Sequence, residues 1–284
     1  MEYKRYIHKK KPVMMYIHGE CLSAFSFKTQ VKEFKKDFEI VLPLLNDSFT
    51  SIQQTAEELI QYIDEQYDGH IQVLAGFSLG AQIVTEMLSQ RNDLCEFAMV
   101  ESALLLPSKL RNWSDLAAVH APTLSHNKLF NSFMYYAKFS DDAAEHEYYE
   151  NLKTIPQETL ARMYDETYNY QLPDSIKDYT GKLAILVGQR ESKKYKESAD
   201  LLHDKVAGSE IFMLLNYSHG GLSLGHPEEY IRFVKSWVQQ KDKQQRKAAK
   251  KKQEEEEGEY MPNWKHLLNR YKAKKAARAS RTSL

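Results

Sequence analysis

Short and almost uninterrupted apolar runs recur along the first 240 residues and predict the strands of a buried sheet. A parallel sheet has helices over both faces, so its strands are apolar on both sides and lack the alternation of a half-exposed strand. The pattern predicts six strands, at residues 12–18, 38–44, 71–77, 96–100, 183–187 and 211–215.

Helical periodicity separates several of these runs. Between residues 51 and 67, apolar side chains recur at steps of three and four, which places them on one face of a helix: Ile52, Ala56, Leu59, Ile60 and Ile63. Residues 79–88 and 227–238 have the same pattern. Strands that alternate with helices predict an α/β fold, in which right-handed crossovers join parallel strands and ligands bind beyond the carboxyl ends of the strands.

One long segment breaks this alternation. From residue 101 to 181 no strand pattern occurs, and helical patterns cover residues 113–119, 128–139, 143–152 and 157–170. A segment of this length inside a compact domain is too long for a loop. We therefore expect an inserted helical cap at residues 105–180. Most of its many Tyr, Phe and Met side chains are expected to form the core of the cap, and the others to line an apolar pocket facing the sheet.

The charge distribution sets the last 44 residues apart from the rest. Residues 241–284 contain 14 Lys and Arg against 6 Asp and Glu, although the whole chain has 39 of each. We predict an α/β core at residues 10–104 and 181–240 and a charged C-terminal extension at 241–284. Two interpretations stay open for this extension. It is a solvated tail, or it contacts an acidic partner, which includes this protein's own acidic body, a second subunit or an anionic surface.

Composition limits the class of protein further. Hydrophobic residues make up 42% and charged residues 27% of the chain, which is typical of a globular protein. No apolar run is long enough to cross a membrane, and the N-terminus has no signal-peptide pattern. Two cysteines exclude a disulfide framework, so we expect a cytoplasmic protein. Metal-ligand and phosphate-binding motifs are absent from the sequence, so we predict no metal and no cofactor.

The sequence Gly76-Phe77-Ser78-Leu79-Gly80 is the strongest chemical signal. It directly follows a predicted strand and opens a predicted helix. A turn this tight strains its central residue and exposes that side chain, and it needs glycines where side chains would clash. The pattern predicts that Ser78 is a nucleophile at a helix N-terminus, where backbone N–H groups stabilise a developing oxyanion.

A serine nucleophile needs a base, and His219 is the best-placed histidine. It lies in the segment NYSHGG, after the last predicted strand and before the last predicted helix. A histidine in this loop can reach back across the strand ends to Ser78. His226 is the nearby alternative, but it precedes Pro227 at the helix start, where capping or packing is the simpler role.

The base in turn needs a carboxylate that fixes its tautomer. Glu191 follows the fifth predicted strand, in the segment VGQRE, at the same sheet edge. Glu101, after the fourth predicted strand, is the alternative acid. Asp47, Asp174 and Asp178 are less well placed.

An oxyanion hole needs two backbone donors. We predict the N–H of Leu79, which follows the nucleophile, and the N–H of Glu20, in the loop after the first predicted strand, where Gly19 permits close approach. His18 is expected to bond the backbone and shape this loop. The carboxylate of Glu20 would repel an oxyanion, so we expect its side chain to point away unless the site has an unusual substrate preference.

Taken together, these motifs resemble the α/β-hydrolase superfamily over residues 10–240. The resemblance rests on HG after the first strand, GFSLG, VGxxE, SHGG before PEEYIRFVKSWV, and the chain order of Ser78, Glu191 and His219. Glu in place of the commoner Asp and the near absence of the two usual N-terminal strands depart from the family pattern. At most, residues 2–8 supply one such strand.

The resemblance implies a capped serine hydrolase that cleaves a small, apolar carboxylic ester or thioester through an acyl-enzyme. Two alternatives stay open. The same triad can act as a base in a C–C bond hydrolase or lyase, and the fold can serve as a non-catalytic ligand sensor, which would not need Ser78 and His219 within hydrogen-bond range.

Overall fold

A computed structural model describes residues 1–46, 49–109 and 142–239. The helices predicted at 113–119 and 128–139, Asp47 and the C-terminal extension at 241–284 lie outside the described residues. Within the described ranges, no helix is both long enough and apolar enough to span a bilayer.

Seven strands form one sheet in the order β1-β3-β2-β4-β5-β6-β7. β1 pairs antiparallel with β3, and every other pair is parallel. The strands are β1 (Glu2–Tyr6), β2 (Val13–Ile17), β3 (Glu39–Leu44), β4 (Ile71–Phe77), β5 (Cys95–Glu101), β6 (Lys182–Gly188) and β7 (Ser209–Leu214). The predicted α/β fold and all six predicted strands are confirmed, and β1 is the single N-terminal strand that residues 2–8 could supply.

Helices connect most of the parallel strands. They are α1 (Lys28–Phe34), α2 (Ile52–Tyr67), α3 (Leu79–Gln90), α4 (Asp142–Thr154), α5 (Gln157–Asn169), α6 (Lys193–Lys205) and α7 (residues 227–239). Short 3₁₀ helices cover Ala24–Phe27 and Asp174–Asp178. The helical segments α4 and α5 fall where the cap was predicted.

The predicted apolar face of α2 packs into the core. Ile52, Ala56, Leu59 and Ile63 are all fully buried, and they belong to one apolar cluster with residues of the central strands. Ser51 caps this helix by accepting a hydrogen bond from the Gln54 N–H. Burial of this apolar face holds α2 against the sheet.

The chain divides into two compact units, Met1–Arg232 and Phe233–Leu284. The whole sheet and every candidate site residue belong to the first unit. The boundaries predicted for core, cap and extension stay predictions.

Candidate active site

Ser78 lies in the turn between β4 and α3 with a strained backbone. Its φ of 54° and ψ of −118° fall in a region that non-glycine residues rarely adopt. The two flanking glycines make the turn possible. A Cβ at Gly76 would collide with the carbonyl of Gly80, and a Cβ at Gly80 would collide with the carbonyls of Ile17 and His18. The motif therefore sets how closely α3 approaches β2 and β4.

His219 lies beside Ser78, although 141 positions separate them in sequence. Its Nε2 is 3.0 Å from the Ser78 Oγ. The imidazole packs between the rings of Phe77 and Tyr195, with centroid distances of 5.0 and 4.9 Å. Ser78 is 3% exposed, whereas 27% of the His219 side chain is exposed. This arrangement lets the imidazole accept the Ser78 proton.

Glu191 lies on the other side of the imidazole. Its Oε2 is 3.1 Å from the His219 Nδ1. Its Oε1 accepts hydrogen bonds from the Gly188 N–H (2.7 Å) and the Ser102 hydroxyl (2.8 Å). Glu191 is buried, so these donors compensate for the loss of water around a charged carboxylate. It is well placed to orient the Nδ1–H tautomer of His219.

Ser102 was not identified from the sequence. It follows directly after β5 with a φ of 58°, and its N–H bonds to the Leu186 carbonyl. This fixes its hydroxyl against Glu191. A serine beside the carboxyl end of a central strand was the available signal, but nothing local distinguishes it from an ordinary loop serine.

Glu101, the alternative acid, contacts the histidine loop instead of the imidazole. Its Oε1 accepts the N–H groups of Leu222 (3.3 Å) and Ser223 (3.2 Å), just beyond His219. Burial raises the pKa of the Glu101 carboxyl to about 7, and the charge of Glu191 adds to this shift. Glu101 thus anchors the loop that carries His219.

The surroundings of His219 favour its protonated form. Burial alone lowers the pKa of this imidazole, but the hydrogen bond to Glu191 and the charges of Glu191, Glu20 and Glu101 outweigh that effect, so the net pKa is raised above the ordinary 6.5. A proton accepted from Ser78 would therefore be well stabilised.

The expectation that the Glu20 side chain points away from the site is wrong, whereas the alternative of an unusual substrate preference stays a prediction. The Glu20 carboxylate does not point away from the site but accepts the N–H of Leu79, with an Oε2–N distance of 3.2 Å. Leu79 is the first residue of α3, and the first N–H groups of a helix have no intrahelical acceptor and attract anions. This carboxylate fills the position expected for an oxyanion.

His18 shapes the loop after β2, as predicted from its place beside Gly19. Its Nδ1 is 2.8 Å from the Gly19 carbonyl, and its Nε2 accepts the Leu45 N–H. Burial lowers the pKa of His18 to about 4, so this imidazole is neutral. Both ring nitrogens are used by the backbone, which leaves His18 no role as a base.

Among the described residues, no group of three or more His, Cys, Asp and Glu side chains is arranged to hold a metal ion. The predicted absence of a metal and of a cofactor stays a prediction. His226, the alternative base, has its Nδ1 2.8 Å from the Gly221 carbonyl. It therefore braces the same loop from its distal end.

No family model and no curated protein matches this chain in sequence. Many solved structures match in shape. A candidate α/β hydrolase family protein from Desulfitobacterium hafniense superposes with a TM-score of 0.67 at 17% identity, covering 84% of this chain and 100% of the other. MenH from S. aureus gives 0.67 at 14% identity, covering 84% and 98%.

An esterase from Thermogutta terrifontis gives a TM-score of 0.65 at 14% identity, covering 84% of this chain and 93% of the other. These identities are low, so the likeness concerns the fold. It agrees with the mostly parallel sheet flanked by helices that is described above. This chain has the fold of the α/β-hydrolase superfamily.

Proposed function

We propose that this protein is a serine hydrolase that cleaves a small carboxylic ester or thioester through an acyl-enzyme. Ser78 is the nucleophile, His219 the general base and then the general acid, and Glu191 the residue that orients His219. The observation that carries the proposal is the continuous chain of contacts from Ser78 Oγ to His219 Nε2 at 3.0 Å and from His219 Nδ1 to Glu191 Oε2 at 3.1 Å.

The reaction proceeds in two halves. Ser78 Oγ attacks the carbonyl carbon, its proton passes to His219 Nε2, and the carbonyl electron pair moves onto oxygen. Collapse of this intermediate expels the alcohol or thiol, which takes the proton from His219. Water, deprotonated by the same imidazole, then attacks the acyl-enzyme and releases a carboxylic acid and free Ser78.

The first oxyanion donor that we propose is the Leu79 N–H, at the N-terminus of α3, once the Glu20 carboxylate has left it. The N–H of Glu20 is the second donor that we propose, because Gly19 brings this loop against the nucleophile. A Cβ at Gly19 would lie 3.1 Å from the Ser78 Cβ. Ser78 and His219 lie within hydrogen-bond distance of each other. This favours an enzyme over a ligand sensor, because a sensor does not need an activated nucleophile.

Labelling with a fluorophosphonate probe tests the proposal. The probe forms a covalent bond with an activated serine, so the wild-type protein is expected to label and Ser78→Ala is not. Ser26→Ala is a matched control, since this serine bonds the Ser23 carbonyl and lies outside the proposed triad. Absence of labelling in a folded wild-type protein, together with turnover of C–C substrates in a substrate screen, would favour the lyase alternative.

The pH dependence of ester cleavage offers a separate prediction. The base must be neutral to accept the Ser78 proton, and the surroundings of His219 raise its pKa above the ordinary 6.5. We therefore expect kcat/KM to increase with pH on the acidic side of the pH–rate profile, which we call the acidic limb. The apparent pKa of this limb should lie above 6.5, and kcat/KM should be low at pH values below that pKa. A pH–rate profile on an uncharged ester measures this limb, and a midpoint below 6.5 would contradict the assignment.

A further inference from the structure

A carboxylate at the oxyanion donor poses a chemical problem for the proposed function. Glu20 Oε2 lies 3.2 Å from the Leu79 nitrogen, so a substrate carbonyl can use this N–H only after the carboxylate has moved. A negative charge that stays beside the carbonyl also opposes the negative charge that develops on its oxygen. For an uncharged ester, Glu20 therefore works against the reaction.

The position of Glu20 is built into the loop. Gly19 to Leu22 form a tight turn, in which the Leu22 N–H bonds the Gly19 carbonyl at 3.3 Å. Cys21 has a φ of 61°, a conformation that costs energy for a residue with a side chain. The Cys21 carbonyl accepts a hydrogen bond from Asn151 of α4 at 2.9 Å. The fold thus stabilises a strained turn that presents Glu20 to the site.

The charges around the His219 imidazole also make the site unfavourable for a negatively charged substrate. Glu191 bonds His219 directly, and the charges of Glu20 and Glu101 also act on that imidazole. When His219 is neutral and ready to accept a proton, the carboxylates of Glu20 and Glu191 leave the site with a negative potential. Such a potential concentrates cationic ligands and repels anionic ones.

We propose that Glu20 is a specificity-determining residue, which selects esters whose acyl group carries a cationic nitrogen next to the reacting carbonyl. This inference rests on the proposed hydrolase function. An ammonium group on the carbon beside the carbonyl gives the Glu20 carboxylate a new partner, which draws it off the Leu79 N–H. The carbonyl oxygen then takes that N–H, and the cation offsets the charge that opposed the oxyanion.

Three benzyl esters of nearly equal shape test this selection. Benzyl alaninate has an ammonium group where benzyl isobutyrate has a methyl group and monobenzyl methylmalonate has a carboxylate. In the wild-type protein we expect kcat/KM to fall in that order, with about a tenfold preference or more for the cation over the neutral ester, the scale of one charge-assisted hydrogen bond. Release of benzyl alcohol is measured for all three.

Glu20→Gln removes the charge and keeps the shape. We expect it to raise kcat/KM for the isobutyrate and to lower it for the alaninate, so that the preference shrinks about tenfold or more. Its pH–rate limb should also move to lower pH, because one of the charges that raise the pKa of His219 is gone. Glu57→Gln, at an exposed position on α2, removes the same unit of charge elsewhere and should leave both the preference and the limb unchanged.

Labelling with the fluorophosphonate probe tests the hydrolase function separately from the selection by Glu20. The phosphoryl oxygen of the probe is uncharged, so Glu20→Gln is expected to label faster than the wild-type protein. If Ser78-dependent labelling occurs but the three esters keep the same relative rates in Glu20→Gln, the selection by Glu20 is wrong and the hydrolase proposal stands. Equal acceleration of all three esters would mean that Glu20 blocks the Leu79 N–H for every substrate, and it would also overturn the proposed selection of cationic esters. If neither protein labels, the hydrolase proposal itself fails.

Discussion

Replacement of Glu191 by glutamine is expected to lower kcat on an accepted ester by about 10⁴-fold, the loss that the equivalent change causes in other serine triads. The Glu191 Oε2 faces the His219 Nδ1 at 3.1 Å, and in the proposed mechanism it stabilises the tautomer in which Nε2 is free to accept a proton. An amide nitrogen in that place would donate to Nδ1 and favour the opposite tautomer. Single-turnover and steady-state rates on the same ester measure the loss.

Glu101→Gln is the matched control for this prediction. Its Oε1 would still accept the N–H groups of Leu222 and Ser223, so the His219 loop keeps its anchor. We expect kcat to fall by less than about 10²-fold, the smallest loss that is typical when a proton-transfer group is removed. If Glu101→Gln lost as much activity as Glu191→Gln, the acid of the triad would be misassigned.

Glu101→Gln is also expected to change how the stability of the protein depends on pH. The pKa of Glu101 is raised to about 7, so the folded protein binds a proton that the unfolded chain has already released between the ordinary 4.5 and 7. Stability from this group therefore declines as pH rises through that window. Relative to the wild-type protein, Glu101→Gln should gain stability as pH rises, which denaturant titrations at pH values below and above this window would measure.

The turn that carries Ser78 and the loop that carries His219 were predictable because their sequence signals are local. A strand pattern followed by GFSLG and a helix pattern places Ser78, and NYSHGG between the last strand and helix places His219. In the described residues these side chains meet at the carboxyl edge of the sheet. The parallel topology explains why they meet, since parallel strands have their carboxyl ends at the same edge of the sheet.

The hydrogen-bond partners inside the site were not predictable in the same way. The side chain of Glu20 was expected to point away because its charge opposes catalysis on an ordinary ester. The first N–H of α3 attracts the nearest anion, however, and only the three-dimensional position of the Gly19 turn reveals that Glu20 is that anion. The role of Ser102 depends equally on a neighbour 89 positions away.

Some helices were missed for a different reason. α6 fully buries only Ser198, Ala199 and Leu202, and most of its other residues are charged. Two of these buried residues are too small to give a strong apolar stripe, so the periodicity was weak. In contrast, α2 buries four aliphatic side chains at helical spacing and was predicted almost to its ends.

Gly80→Ala is expected to destabilise the protein by about 3 kcal/mol or more, at the upper end for overpacking in a core. Inside an ordinary helix the same change is stabilising by about 1 kcal/mol, so the sign of the effect is diagnostic. At Gly80 the new Cβ would collide with the Ile17 carbonyl and lie 2.6 Å from the His18 carbonyl. Both belong to β2 and its following loop.

Neither side of this contact can move freely. β2 is hydrogen-bonded to β3 and β4, and α3 is fixed at its start by the strained turn at Ser78. Urea unfolding followed by circular dichroism measures the effect, with Gln90→Ala at the exposed last residue of α3 as a control with a small effect. A Gly80→Ala protein as stable as the wild type would mean that α3 does not pack against β2 as closely as the geometry requires. The second glycine of the motif would then need another explanation.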